Sequence, residues 1–76
     1  MKDETSSLDR YSGQLDALLE GGPADIPTDR REQLVEAGLE KIKLPYYGGY
    51  EHFERTDEQS GHFVVYRWVA RTEIAE

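Results

Sequence analysis

An α+β domain, in which an N-terminal helix packs on a three- or four-stranded antiparallel sheet, is the fold class that three features of this chain predict. Apolar residues recur at helical spacing from Leu8 to Leu19. Lys41-Ile42-Lys43-Leu44 alternates between charged and apolar residues, the pattern of a strand with one face buried. Seven of the eight aromatic residues lie between Tyr46 and Trp68, in two strand-like runs separated by a polar stretch that ends in glycine. With 76 residues there is room for one small domain; domains of this size bury only roughly 60% of their unfolded surface and are marginally stable. The helix is placed at about 6–20, a linker at 21–29 and the sheet at about 31–74.

Each element follows from its residues. Leu8, Tyr11, Leu15, Leu18 and Leu19 form one helical stripe, Ser6 suits an N-cap, and Gly21-Gly22-Pro23 supplies a left-handed stop followed by a residue that cannot continue a helix. Gly13 within the stripe costs about 1 kcal/mol, so this helix depends on packing. Ala24 to Asp29, with two of its neighbouring positions set by Pro23 and Pro27, is a linker. Arg30 to Ala37 fits either a short helix capped by Thr28 or a strand centred on Leu34-Val35; the strand is preferred, turning at Gly38 and returning as Glu40 to Leu44 to make a meander.

The C-terminal hairpin is expected to close through a five-residue loop, Asp57 to Gly61, between Thr56 and His62. That register sets Phe53 opposite Val65, Glu51 opposite Arg67, His52 opposite Tyr66 and Tyr50 opposite Trp68. It also places Tyr50, His52, Glu54, Val64, Tyr66 and Trp68 on one face, and Glu51, Phe53, Arg55, Phe63, Val65 and Arg67 on the other. A slip of one residue would send every side chain to the other face and break those matches. Both faces carry apolar groups while the chain offers one cover, which favours a homodimer. Arg71 to Glu76 prolongs the last strand.

Charge and composition exclude several classes of function. Sixteen acidic against nine basic residues give a net charge of −7, which opposes binding to nucleic acid or anionic lipid. No apolar stretch approaches the roughly 20 residues needed to span a bilayer, and Met1 to Ser7 lacks the apolar core of a signal peptide. The absence of cysteine removes disulfides, thiolate chemistry and cysteine-ligated zinc, and fits a cytoplasmic protein. His52, Glu54 and His62 match no metal-ligand spacing, and no cofactor motif occurs.

Two kinds of site remain. Tyr46-Tyr47-Gly48-Gly49-Tyr50 joins a flexible turn to aromatic rings, and together with Tyr66, Trp68 and Arg67 it makes an aromatic sheet surface suited to a protein partner or a flat aromatic molecule. The catalytic alternative is a small cofactor-free lyase or isomerase, with His52 as base and Glu54 and Tyr66 beside it. A third reading is an acidic mimic that occupies a basic protein.

The segments Glu20 to Pro23, Glu40 to Pro45, Gly48-Gly49-Tyr50-Glu51-His52-Phe53-Glu54-Arg55-Thr56 and Val65 to Thr72 resemble those of small actinobacterial proteins built on a domain of unknown function. The resemblance covers the chain from about Glu20 onward. It implies a bacterial cytoplasmic accessory protein near specialised-metabolite biosynthesis, and assigns no catalytic residue. The expectation is therefore a noncatalytic accessory or binding protein.

Overall fold

A computed structural model describes residues 13–74. Five strands make one sheet: β1 (Gln14–Glu20), β2 (Glu32–Glu36), β3 (Lys41–Tyr46), β4 (Gly49–Ser60) and β5 (Phe63–Glu73). A single helical turn, α1 (Thr28–Arg31), precedes β2. The strand order is β2-β1-β5-β4-β3; β1 runs parallel to β5, and every other neighbour is antiparallel. The expected helix packed on an antiparallel meander is thus corrected to a five-stranded mixed sheet.

The reason lies first in residues 14–20. Leu15, Ala17 and Leu19 recur every second residue and face the core, with Ala17 and Leu19 fully buried. This short run satisfies a period of 2 as well as one of 3.6, and the choice is made by its neighbours. Both edges of β1 find partners, β2 on one side and β5 on the other, so the strand satisfies its backbone across the sheet. The part of the expected helix that precedes residue 13 lies outside the described residues. Gly21 and Gly22 do adopt positive φ, 89° and 75°, but they end a strand.

β2 and β3 form at the places expected of strands. They do not pair with each other: β2 folds back on β1, Leu15 opposite Val35, and β3 pairs with β4, Ile42 opposite Phe53. The two therefore occupy opposite edges of the sheet.

β4 and β5 are antiparallel, but their register differs from expectation. The strands run to Ser60 and resume at Phe63, so the loop is the two-residue turn Gly61-His62, with Gly61 at φ 61°. An irregularity follows between Arg55 and Gln59, where Thr56, Asp57 and Glu58 face a single residue, Val65. The Thr56 hydroxyl spans the gap, donating to the Val65 carbonyl at 2.7 Å and accepting from the Glu58 amide at 3.0 Å. Beyond it Phe53 lies opposite Trp68, three positions along from the expected Val65. Three is odd, so the faces exchange. A second bulge at Val69 brings Glu51 opposite Arg71, His52 opposite Ala70 and Tyr50 opposite Thr72.

The core face consequently gathers Ala17, Leu19, Ile42, Leu44, Phe53 and Tyr66, with Trp68 at its border. Ile26 covers it from the β1–β2 connection. Arg31 ties that connection together by donating to the carbonyls of Leu19 at 2.9 Å, Gly21 at 3.0 Å and Pro23 at 2.7 Å. The other face carries a charged row across four strands, Glu20, Arg67, Glu54 and Lys41, with Arg67 at 3.4 Å from Glu20 and Lys41 at 3.9 Å from Glu54. Exposed pairs of this kind contribute little to stability but suit a face in contact with water.

Candidate binding site at the Tyr46–Gly49 turn

β3 passes into β4 through Tyr47 and Gly48, whose φ angles are 45° and 75°. Positive φ at both central residues of a two-residue hairpin is the type I′ geometry, matched to the twist of the strands and usually filled by Asn-Gly. Tyrosine in the left-handed region costs roughly 1–2 kcal/mol. Its ring gains little burial in return, since Tyr47 is 80% exposed. The ring meets Tyr46 edge-on, centroids 4.5 Å apart.

Beneath the turn lies a buried ionic network. Glu51 is 1% exposed, and both carboxylate oxygens are occupied: Trp68 Nε1 donates to Oε1 at 2.7 Å and Arg71 Nη1 to Oε2. Arg71 in turn donates to the Tyr46 carbonyl at 3.0 Å and the Tyr47 carbonyl at 2.7 Å, while its Nε reaches Glu73 at 2.7 Å. The carboxylates of Glu73 first and Glu51 second hold the Arg71 pKa above its ordinary value. Every polar atom of Glu51 is satisfied, as burial of a charge demands. The guanidinium fork therefore grips the turn by its backbone. Gly49 makes room for it, because a Cβ there would lie 2.7 Å from Arg71 Nη2 and 2.6 Å from the Thr72 carbonyl oxygen.

Above the turn is an open cleft of about 480 Å³. One wall is Pro45, Tyr46, Tyr47 and Gly48; the other is Asp25, Pro27 and Arg30 from the β1–β2 connection. Two hydrogen bonds hold the walls together, from Tyr46 Oη to Asp25 Oδ1 and from Arg30 Nη2 to the Pro45 carbonyl at 2.7 Å. The bond to Asp25, aided by desolvation and by the Asp25 charge, pushes the Tyr46 pKa up to about 12. Because the protonated phenol is the form held, this bond contributes below the ordinary tyrosine pKa of 10 and is lost as pH rises through about 12. In an ultraviolet titration, comparison with Tyr46→Phe should show one phenol ionising near pH 12, and Asp25→Ala should return it toward 10.

The residues singled out in the sequence are distributed as follows. Tyr46 and Tyr47 meet in the cleft. Trp68 is half-buried below it as the partner of Glu51, its ring so close to Gly22 that a Cβ there would lie 2.6 Å from Cδ1. Tyr50 lies on the far face, under Lys43 Nζ at 4.6 Å. Arg67 is on that face too, paired with Glu58 at 2.7 Å. Tyr66 is fully buried, donates to the Leu39 carbonyl and has its phenol pKa pushed up chiefly by burial. The aromatic residues thus do not share one surface.

Of the proposed acid–base trio, His52 and Glu54 share the far face of β4, and Tyr66 is parted from them. His52 Nε2 lies 2.7 Å from the Thr72 hydroxyl, Glu54 faces Lys41, and Tyr66 is on the core side of the sheet opposite Arg55. Among the described residues no three His, Asp or Glu side chains converge to hold a metal, and no helix is long and apolar enough to cross a membrane. Sequence reasoning passed over Asp25, Arg30, Glu51 and Arg71 as parts of one site. A tyrosine followed by glycine between two strands was the local signal for the turn; nothing local links it to Asp25 or Arg30.

Fold and cleft together define a small mixed-sheet domain with a preorganised aromatic cleft at one sheet end. The sequence profile of a family described as "Family of unknown function (DUF5988)" matches residues 11–76, and the chain belongs to that family. No curated protein and no solved structure matches it.

Proposed function

We propose that this chain is a noncatalytic binding module that receives a flat aromatic group in the Tyr46–Tyr47 cleft, in the accessory biosynthetic role that its resemblance implies. What supports this reading is the state of Tyr47: an 80% exposed ring on a left-handed backbone, anchored through its carbonyl by an arginine that a buried carboxylate neutralises. Strain of this kind persists where surrounding structure over-determines it, and it recurs at binding sites. A rigid tyrosine also presents a large apolar area with little conformational entropy left to lose on contact. The cleft volume falls within the usual range for small-molecule sites.

The decisive variant is Tyr47→Asn, which keeps the turn geometry and removes the ring. Its folding stability should equal or exceed that of the parent by about 0.5–1 kcal/mol, since asparagine tolerates the left-handed region. Titration of the ¹⁵N-labelled chain with p-cresol should shift the amides of Tyr47, Gly48 and Arg30. In the variant affinity should fall about fivefold or more, the equivalent of ~1 kcal/mol of ring contact. If p-cresol perturbs residues elsewhere, or binds the variant equally well, the cleft is not the site.

A further inference from the structure

Resting on that reading, we infer that the ligand is a zwitterion with a ring, an aromatic α-amino acid, whose carboxylate meets Arg30 and whose ammonium group meets Asp25. Both residues line the same cleft as the tyrosine pair. Among the described residues neither takes part in an ion pair, whereas Arg67 and Arg71 each hold two carboxylates.

Each charged group is nevertheless fixed in place. Arg30 spends Nη2 on the Pro45 carbonyl, at 2.7 Å, and among the described residues this is the one hydrogen bond of its guanidinium. A guanidinium has five N–H donors, so most of the fork remains for a planar acceptor, and a carboxylate fits that geometry. Asp25 accepts the Tyr46 hydroxyl at Oδ1, which leaves Oδ2 with its full acceptor capacity. An ammonium group, donor on every side, complements it.

The charge of the whole chain decides between a zwitterion and simpler ligands. At −7 the protein repels a lone carboxylate at long range. A lone amine is attracted overall, but it leaves Arg30 unmatched and places a second cation in the same cleft. A zwitterion has no net charge to repel and satisfies both groups. The prolines and Ile74 of the lining supply apolar walls for its ring beside the tyrosines.

Three probes separate the contributions: L-phenylalanine, 3-phenylpropionate, which lacks the amine, and 2-phenylethylamine, which lacks the carboxylate. Monitored by the Tyr47 and Gly48 amides of the ¹⁵N-labelled chain, L-phenylalanine should bind at least tenfold more tightly than either. Arg30→Gln should reduce L-phenylalanine to the level of 2-phenylethylamine, and Asp25→Asn to that of 3-phenylpropionate, with unchanged spectra away from the cleft showing that both variants fold. Arg30→Lys should restore part of the loss, because the charge returns without the fork. If either truncated probe matches L-phenylalanine, the zwitterion assignment is overturned while the aromatic reading stands. If neither these probes nor p-cresol shift the turn, both fall.

Discussion

Glu51→Ala should destabilise the chain by about 3 kcal/mol, the low end of the cost of breaking a buried ion pair by removing one partner. The low end applies because Arg71 is 26% exposed at its side chain and can take up water when the carboxylate is gone. Trp68 Nε1 loses its acceptor, and Arg71 Nη1 loses the carboxylate while keeping the Tyr46 carbonyl. In a domain of this length a loss of that size consumes most of the available stability. The midpoint of thermal unfolding should drop by roughly 12–24 °C, taking about 4–8 °C per kcal/mol for a domain of 60–100 residues. Trp68, the single tryptophan of the chain, reports the transition by fluorescence. The paired substitution Glu51→Leu with Arg71→Met separates stability from organisation. Replacing both charges by apolar groups removes the cost of an unpaired buried charge and should recover part of the Glu51→Ala loss, the remainder reflecting Trp68 Nε1 without its acceptor, yet it removes the anchor of the Tyr46 and Tyr47 carbonyls and should weaken p-cresol binding. A midpoint for Glu51→Ala within 3 °C of the parent, on the order of half a kcal/mol, would show that the network does not support the fold.

Phe53→Ala should cost as much or more, about 3–5 kcal/mol, for a different reason. Phe53 is fully buried, sits between Ile42 of β3 and Trp68 of β5, and has no polar atom whose partners could rearrange. Truncation leaves a cavity at the centre of the sheet, lined by strands whose backbone hydrogen bonds resist collapse. Urea unfolding followed at Trp68 should show a lowered midpoint with an unchanged slope, the sign of lost stability without a change in exposed surface. Phe53→Leu, closer in volume, should recover most of the difference. A loss under 1 kcal/mol for the alanine variant would place Phe53 outside the core.

The strand content of the C-terminal half was legible because local chemistry specifies it: alternation in Lys41 to Leu44, aromatic and β-branched runs around Gly61, and glycines where φ is positive. Parity in the hairpin was not. It depends on a bulge at Thr56 to Glu58, whose cause is a hydroxyl bridging two strands, and no composition rule announces that. Residues 14–20 were misread because a run with apolar positions at 15, 17, 18 and 19 fits both periods, and burial between β2 and β5 settles the matter. The pairing of β2 with β1 across the sheet from β3 is equally a property of the whole chain.

The site divides in the same way. Tyr46, Tyr47, Gly48 and Gly49 declare a turn beside aromatic rings. Glu51 and Arg71, by contrast, become neighbours only after the bulge at Val69 shifts β5 by one further position, and Asp25 and Arg30 reach the cleft through a connection that reads as a linker. Arg31, which assembles that connection from its carbonyls, resembles any other charged surface residue when seen in the sequence.

Backbone ¹⁵N relaxation across Tyr46, Tyr47, Gly48 and Gly49 tests whether the turn is held from below. Order parameters of ~0.85, like those of the central strands, are expected in the parent, falling at Tyr47 and Gly48 in the Glu51→Leu/Arg71→Met pair. Values below about 0.6 in the parent would contradict the account, because a turn that moves freely on the nanosecond scale is not gripped by Arg71 and presents no prearranged cleft.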